Sequence, residues 1–322
     1  MTRGPNTYAH ALVRPPGDSF ARAISSTGAS NALSFGGVAG LTLTNISVTG
    51  AFGFGLQFTG TTGTVTATNV DITNTSGAAI SVSGGTATYN FDATSSIAQG
   101  NNASALSVAG GHSGTLTYAG TIGATNGTGL QFDNADGTYT FNNVTLAGGA
   151  GIAITNGSSG TFGFDSGASV TNAAGAAIRV ANSTASLGYA GSINQSTPGS
   201  AAIDVSGHSA GTMSFNDATI VATGGNGLRF NDADGTYTFR NIALSGGSRL
   251  AILGGSAGAF SFLNVDITGL AANTTAVDLT GATGNIMFNT LDIAAASATG
   301  TRGIDMTGST TSANVIVNGS ST

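Results

Sequence analysis

The chain has 322 residues, of which 40% are hydrophobic and only 7% are charged, and its formal net charge is −6. It contains no Cys, Lys or Glu, which excludes a disulfide framework, a thiol nucleophile and a lysine Schiff base. The acidic balance argues against binding to nucleic acid or to an anionic membrane surface, and no apolar run reaches the roughly 20 residues needed for membrane insertion.

Residues 1–29 differ in composition from the rest of the chain, because they hold three of the four Pro and three of the eight Arg. They lack the apolar stretch of a signal peptide, so an export signal is not expected within this chain. They are predicted to form an N-terminal linker or a short cap, in which residues 19–24 could make a helical turn or two.

From residue 30 to residue 322, an apolar-x-apolar triplet returns every 22 to 27 residues. These triplets, called anchors below, are 33–35, 56–58, 80–82, 106–108, 130–132, 152–154, 178–180, 203–205, 228–230, 250–252, 277–279 and 304–306. Two more alternating segments follow an anchor, as in 139–141 and 144–146. Three short strands per repeat of about 25 residues predict an all-β, three-sided parallel solenoid of about twelve coils. At about 4.8 Å per coil the rod would be about 58 Å long, and it is expected to lack a C-terminal cap.

A longer repeat is superimposed on the coils. Residues 129–149 return 98 residues later as residues 227–247 with 14 of 21 residues identical, which is an offset of four coils. The chain is therefore predicted to consist of about three copies of a four-coil unit. Duplication of a whole block suits a stalk or a fibre better than a single active site.

An Asn or Asp recurs 12 to 14 residues after most anchors, where the second strand of a coil turns into the third. Because Asn and Asp tolerate left-handed backbone and bond to neighbouring backbone groups, these residues predict a stacked turn ladder. The fourth and seventh coils have Ala119 and Ala190 near that place instead. The ladder comprises Asn45, Asn69, Asp92, Asn143, Asp165, Asn216, Asn241, Asn264, Asn289 and Asn318.

Short strands in coils of this length, with Asn at one corner, resemble the pectin-lyase-like right-handed parallel β-helices, which carry an asparagine ladder there. The composition and the long repeats are more similar to the bacterial adhesin and autotransporter-passenger proteins of that architecture than to its enzymes. The resemblance covers residues 30–322 and implies a right-handed helix. It also implies that the anchors occupy the position of the strand that lines the substrate groove in the family's enzymes.

The middle residues of the anchors are predicted to point outward and to stack from coil to coil. Arg179, Asp204 and Arg229 form a column of alternating charge, interpreted as a surface ion-pair set or, alternatively, as a patch that binds a glycan or a carboxylate. Asp278 and Asp305 are like charges on adjacent coils, which favours water, a cation or a ligand between them. In the family's polysaccharide-cleaving enzymes such acids do acid/base work or hold calcium. Because the accompanying Gly-His-Gly and Arg-x-Lys motifs are missing here, no catalytic residue is assigned.

Two turns of related sequence, 133–137 and 231–235, each combine two carboxylates with an amide. Their acids, Asp133, Asp136, Asp232 and Asp234, are candidate calcium ligands or ordinary turn residues, and no cofactor other than such calcium is predicted. His112 and His208 lie in matching loops about 19 Å apart, too far to share a metal. A Thr-rich ice-binding face is not expected, because the outward positions mix Ser, Gln, Arg, Asp and Ala and lack a sustained Thr-x-Thr array.

The sequence favours a non-catalytic structural or adhesive rod, or a fibre segment, of a bacterial surface protein outside the cell. One alternative is a β-helix that binds or cleaves an acidic glycan, although coils of uniform length leave little chain for the walls of a cleft. The other is a subunit that stacks end to end into filaments. The expected partners are the chain itself or the remainder of a longer surface protein, with a glycan as a further candidate and with no nucleic acid.

Overall fold

The structure is a computed structural model that describes residues 19–21, 30–149, 151–294, 300–309 and 314–317. Within these residues the chain forms thirty β-strands and no helix. The strands fall into two hydrogen-bonded sheets, one of twelve strands and one of eighteen.

The twelve-stranded sheet contains one strand for each anchor of the sequence. Its strands are β2 Leu33–Gly36, β4 Leu56–Thr59, β6 Ile80–Ser83, β9 Ser104–His112, β12 Gly129–Ala135, β15 Ile152–Thr155, β18 Ile178–Ser183, β21 Ala201–His208, β23 Gly227–Ala233, β25 Leu250–Leu253, β27 Thr275–Asp278 and β29 Arg302–Asp305. We call this surface the anchor face.

The eighteen-stranded sheet contains the second and third strands of the coils. Its strands are β1 Ser19–Ala21, β3 Ala39–Thr49, β5 Thr62–Thr73, β7 Thr88–Phe91, β8 Ser96–Gln99, β10 Thr115–Tyr118, β11 Thr121–Ala124, β13 Thr138–Phe141, β14 Val144–Ala147, β16 Thr161–Phe164, β17 Ser169–Thr171, β19 Ser186–Tyr189, β20 Ser192–Gln195, β22 Thr212–Thr223, β24 Thr236–Ser245, β26 Ala259–Thr268, β28 Asn285–Ala294 and β30 Asn314–Val317. In β3, β5, β22, β24, β26 and β28 one continuous strand runs through the corner between the second and third faces.

The predicted fold class is confirmed. Each anchor strand pairs in parallel with the anchor strands one coil before and after it, as Ile178 does with Ile152 and Ile203. The chain forms a parallel β-solenoid of about 11 turns with a spacing of about 24 residues, consistent with a right-handed parallel β-helix. Because the side chains of a strand alternate, this register places every second residue inside the solenoid.

The core consists of inward columns of Val, Ile, Leu, Phe and Tyr that run along the solenoid. Aromatic rings stack within these columns: the ring centroids of Phe239 and Phe262 lie 5.2 Å apart, and those of Phe262 and Phe288 lie 5.0 Å apart. The spacing of parallel strands, about 4.8 Å, is close to the preferred distance between stacked rings. The repeat therefore builds a run of ring contacts from Phe141 to Phe288.

The first and last described coils differ in how well their inward side chains are covered. Leu33 and Phe35 in the first coil are 8% and 9% exposed, whereas Ile304 and Met306 in the last are 39% and 42% exposed. At the first coil, Ser19–Ala21 forms a strand that pairs in parallel with residues 42–44, so the predicted helical turn is wrong for these three residues. The remainder of residues 1–29 lies outside the described part of the chain.

Candidate functional site

The two acids that the sequence places side by side, Asp278 and Asp305, are in register on adjacent coils of the anchor face. The structure gives each carboxylate its own arginine: Arg249 Nη1 lies 3.8 Å from Asp278 Oδ2, and Arg302 Nη1 lies 2.5 Å from Asp305 Oδ2. The repulsion expected from two neighbouring acids is therefore offset, at least in part, within the protein.

Both acids also close a short turn with the threonine two residues later. Thr280 donates its backbone N–H and its hydroxyl to Asp278 Oδ1 over 3.1 and 2.6 Å. Thr307 does the same for Asp305 over 3.0 and 2.6 Å. The hydrogen bonds from Thr307, together with Arg302, lower the pKa of Asp305 to about 2. Asp305 is therefore ionised at neutral pH and holds no proton to donate as a general acid.

The predicted charged column, Arg179, Asp204 and Arg229, is in register on three successive coils. Arg229 Nη1 lies 3.7 Å from Asp204 Oδ1, whereas no ion pair within 4.0 Å joins Asp204 to Arg179 in the described part of the chain. Asp204 Oδ1 is buried and has no hydrogen-bond partner. Asp204 and Arg229 also border a cavity of about 190 Å³ formed with the loops that lead into the anchors.

Two of the four acids of the Asp-rich turns, Asp136 and Asp234, bond to the next coil. Asp136 Oδ1 accepts hydrogen bonds from the backbone N–H and the hydroxyl of Ser159, at 3.1 and 2.9 Å. Asp234 Oδ1 accepts one from the backbone N–H of Ala257 at 2.9 Å. Asp133 and Asp232 are exposed at the surface. Across the described ranges no three His or Asp side chains come together in a way that could hold a metal ion.

The predicted turn ladder consists of separate short pieces. Asn69 Nδ2 donates to Asn45 Oδ1 over 2.8 Å, and Asn264 Nδ2 donates to Asn241 Oδ1 over 3.0 Å. Asp92 and Asp165 instead accept hydrogen bonds from the backbone N–H groups of Asn69 and Asn143, respectively. Of the predicted ladder residues that are described, those with left-handed backbone are Asn45, Asn69 and Asn143, with φ between 49° and 55°.

Two ladder assignments are wrong in register. Asn241 pairs with Thr219, and Asn264 pairs with Thr290, so Asn216 and Asn289 lie outside the column that Asn241 and Asn264 form. Asn216 and Asn289 lie within the long strands β22 and β28, and neither residue has left-handed backbone. Asn318 lies outside the described residues.

The two coils without a ladder Asn have a steric explanation. In these coils the alanine is followed by a glycine, Gly120 after Ala119 and Gly191 after Ala190. A Cβ atom on either glycine would lie 1.9 Å from a carbonyl oxygen of the preceding coil, that of Ser95 or that of Ala168. These corners pass so close to the neighbouring coil that only glycine fits.

The matching histidines form two buried clusters that the sequence did not predict. His112 Nε2–H donates to the Ala87 carbonyl oxygen over 3.1 Å, and Nδ1 lies 3.1 Å from the Tyr139 hydroxyl. His208 repeats these two contacts with Ala185 at 2.9 Å and Tyr237 at 2.7 Å. The Tyr139 hydroxyl also donates to the His112 carbonyl oxygen over 2.8 Å. Both imidazoles are fully buried, and burial lowers their pKa below the ordinary value of 6.5. We call these clusters the His–Tyr clasps, and both have a structural role inside the solenoid.

The second strands of the coils carry a hydroxyl-rich array, in which the Thr-x-Thr pattern itself occurs in three of seven coils. There, two outward columns of mainly hydroxyl side chains run side by side through seven coils, from the second to the eighth. We call them together the hydroxyl strip. The first column is Thr64, Thr88, Thr115, Thr138, Thr161, Ser186 and Thr212, and the second is Thr66, Asn90, Thr117, Thr140, Gly163, Gly188 and Ser214. The strip could have been predicted from alternating triplets in the sequence, such as 115–117 and 138–140.

Comparisons with protein-family models, with curated proteins and with solved structures found no match. No helix in the described part of the chain is long and apolar enough to cross a membrane.

Proposed function

We propose that the chain is a non-catalytic structural or adhesive rod that forms part of a bacterial surface protein outside the cell. The observation that carries this proposal is the pairing of Asp278 with Arg249 and of Asp305 with Arg302, because it neutralises the two acids that a polysaccharide-cleaving site would need. The uniform coils and the abundant Thr, Asn and Ser of the surface also support it. So does the resemblance to adhesin and autotransporter-passenger repeats.

A second candidate function, binding of an acidic glycan, is favoured by the cavity beside Asp204 and Arg229. The Arg229 side chain is half exposed, so its guanidinium is accessible to a carboxylate of the glycan. The cavity of about 190 Å³ has room for about six water molecules, so it would hold one polar group rather than a chain of sugars.

A third candidate, end-to-end stacking, is favoured by the uncovered apolar side chains of the last described coils. Ile304, Met306, Ile316 and Val317 are all roughly two-fifths exposed. Edge strands with such side chains can pair with a strand from another molecule. Electron microscopy at increasing protein concentration separates the cases, because stacking predicts filaments that lengthen with concentration and the rod proposal predicts discrete particles.

The test of the rod proposal is a panel of acidic and neutral polysaccharides, assayed for bond cleavage and for retention of the chain on polysaccharide-coated beads. We expect no turnover with or without calcium. Turnover that is lost in Asp278→Asn/Asp305→Asn and kept in the matched variant Asp266→Asn, an exposed acid on another face, would overturn the proposal. Retention that depends on Arg229 without turnover would instead support the glycan-binding candidate.

A further inference from the structure

The hydroxyl strip is regular in both directions. Along the solenoid its side chains repeat at the strand spacing of about 4.8 Å, and across the strip the two columns are two residues apart, about 6.6 Å. Seven coils give it a length of about 29 Å. All of its positions are exposed or half-buried, while the residues between the two columns, such as Tyr89, Leu116 and Tyr139, point into the core.

The hydroxyl groups of the strip are almost unused by the protein. In the described part of the chain the one hydrogen bond to a side chain of the strip runs from the Thr212 backbone N–H to Ser186 Oγ, at 3.2 Å. The next pair of residues, Thr236 and Thr238, ends the strip, because the Thr238 hydroxyl is shielded from solvent. The strip therefore presents hydroxyls whose partners must come from outside the protein.

Threonine is well suited to hold such an array in one arrangement. Its β-branched side chain has restricted χ1 freedom, so each residue presents its hydroxyl and its methyl group in a fixed direction. A surface that is ordered before binding loses little conformational entropy when it binds. The strip contains no charged residue, so no ion-bound hydration shell disturbs the array.

We propose that the hydroxyl strip binds the surface of ice crystals. The repeat along the strip is similar to an oxygen repeat of the hexagonal ice lattice, so water bound to the hydroxyls and around the methyl groups can continue that lattice. Crystalline polysaccharide is a less favourable ligand, because sugar recognition uses exposed aromatic rings, and the aromatic rings between the columns are buried. This inference does not depend on the proposed rod function, since either can hold without the other.

Gly163 and Gly188 interrupt the second column and allow a test by gain of function. A Cβ atom at Gly188 would meet nothing within 4 Å, and one at Gly163 would meet only the Tyr139 carbonyl oxygen, at 3.8 Å. Neither glycine has positive φ, so the fold does not require them. Gly163→Thr/Gly188→Thr should complete the array and raise ice-binding activity by about twofold or more.

The experiment measures thermal hysteresis and ice-crystal faceting for the unlabelled chain over a range of concentrations. We expect hysteresis that rises with concentration in the wild type. Thr117→Tyr/Thr140→Tyr should reduce it by about tenfold or more, because two bulky rings hold the strip away from a flat crystal face. Thr145→Tyr, on the third strand of the same coil as Thr140, is the matched control and should change it by less than about twofold.

Circular dichroism and thermal unfolding of each variant establish that the fold is retained. Absence of hysteresis and of faceting in the wild type would overturn the proposal. So would equal losses in Thr145→Tyr and in Thr117→Tyr/Thr140→Tyr. Cosedimentation with crystalline chitin that depends on Thr140, without hysteresis, would overturn it in favour of a crystalline glycan.

Discussion

Replacing Phe132 by alanine is expected to lower the free energy of unfolding by about 3–5 kcal/mol. The ring is 1% exposed and lies at the centre of an aromatic cluster, with ring centroids 5.4 Å from Tyr139 and 4.8 Å from Phe162. Removing it leaves a cavity between two coils that hydrogen-bonded neighbours on both sides prevent from closing. Denaturant unfolding followed by circular dichroism measures the change.

Phe52→Ala is the matched control for this prediction. Phe52 is 63% exposed, so its loss should change the free energy of unfolding by no more than about 0.5 kcal/mol. Similar losses in the two variants would contradict the assignment of Phe132 to the core and, with it, the register of the inward columns.

Stability is expected to fall as the pH is lowered below 6.5, because of the two His–Tyr clasps. Burial lowers the pKa of His112 and His208 in the folded chain, so the unfolded chain binds more protons in this range. The contribution of each histidine is complete above 6.5 and is lost as the pH falls from 6.5 toward its folded pKa. The free energy of unfolding should change by at most about 1.4 kcal/mol per pH unit for each histidine, or about 2.7 kcal/mol per pH unit for both.

Unfolding curves between pH 7.5 and pH 5 test this dependence, in the wild type and in His112→Gln/His208→Gln. In that interval the free energy of unfolding of the variant should depend much less on pH than that of the wild type, whatever the stability of the variant at neutral pH. As a second measurement that needs no variant, the ring resonances of both histidines should titrate below 6.5 in nuclear magnetic resonance spectra. An unchanged slope in the variant, or ring titration above 6.5, would show that charging the imidazoles is not opposed by burial.

The fold could be predicted from the sequence because the apolar-x-apolar anchors have a two-residue period, which fixes the inward and outward faces of each strand. The anchor positions, the parallel pairing and the register of Asp278 with Asp305 follow from that period. The coil corners were predicted less well. A turn residue such as Asn289 can slip by one position when the strands run through the corner, and periodicity carries no information about such a slip.

The interactions of the candidate sites could not be predicted from the sequence alone, because they depend on which residues the coils bring together. Arg249 precedes its own anchor by one residue but pairs with Asp278 on the next coil, and no pattern in the sequence joins the two. His112 lies next to two glycines in what reads as a polar loop, yet the turn folds its ring into the core beside Tyr139. The hydroxyl strip could have been predicted, because its alternation is in the sequence, but it lies on the second strand and not on the anchors.

We propose that the chain is a rod of interchangeable coils, and deletion of residues 130–227 tests this claim. The deletion removes one unit of 98 residues and joins Gly129 to Leu228. It places His112 in the preceding coil beside Tyr237, so a His–Tyr clasp is rebuilt across the junction. Electron microscopy of both proteins should show folded rods, with the variant shorter by about 19 Å than the wild type at about 53 Å. Loss of the β-sheet signal or of cooperative unfolding in the variant would contradict the claim, because coils that cannot replace one another are not repeats of one unit.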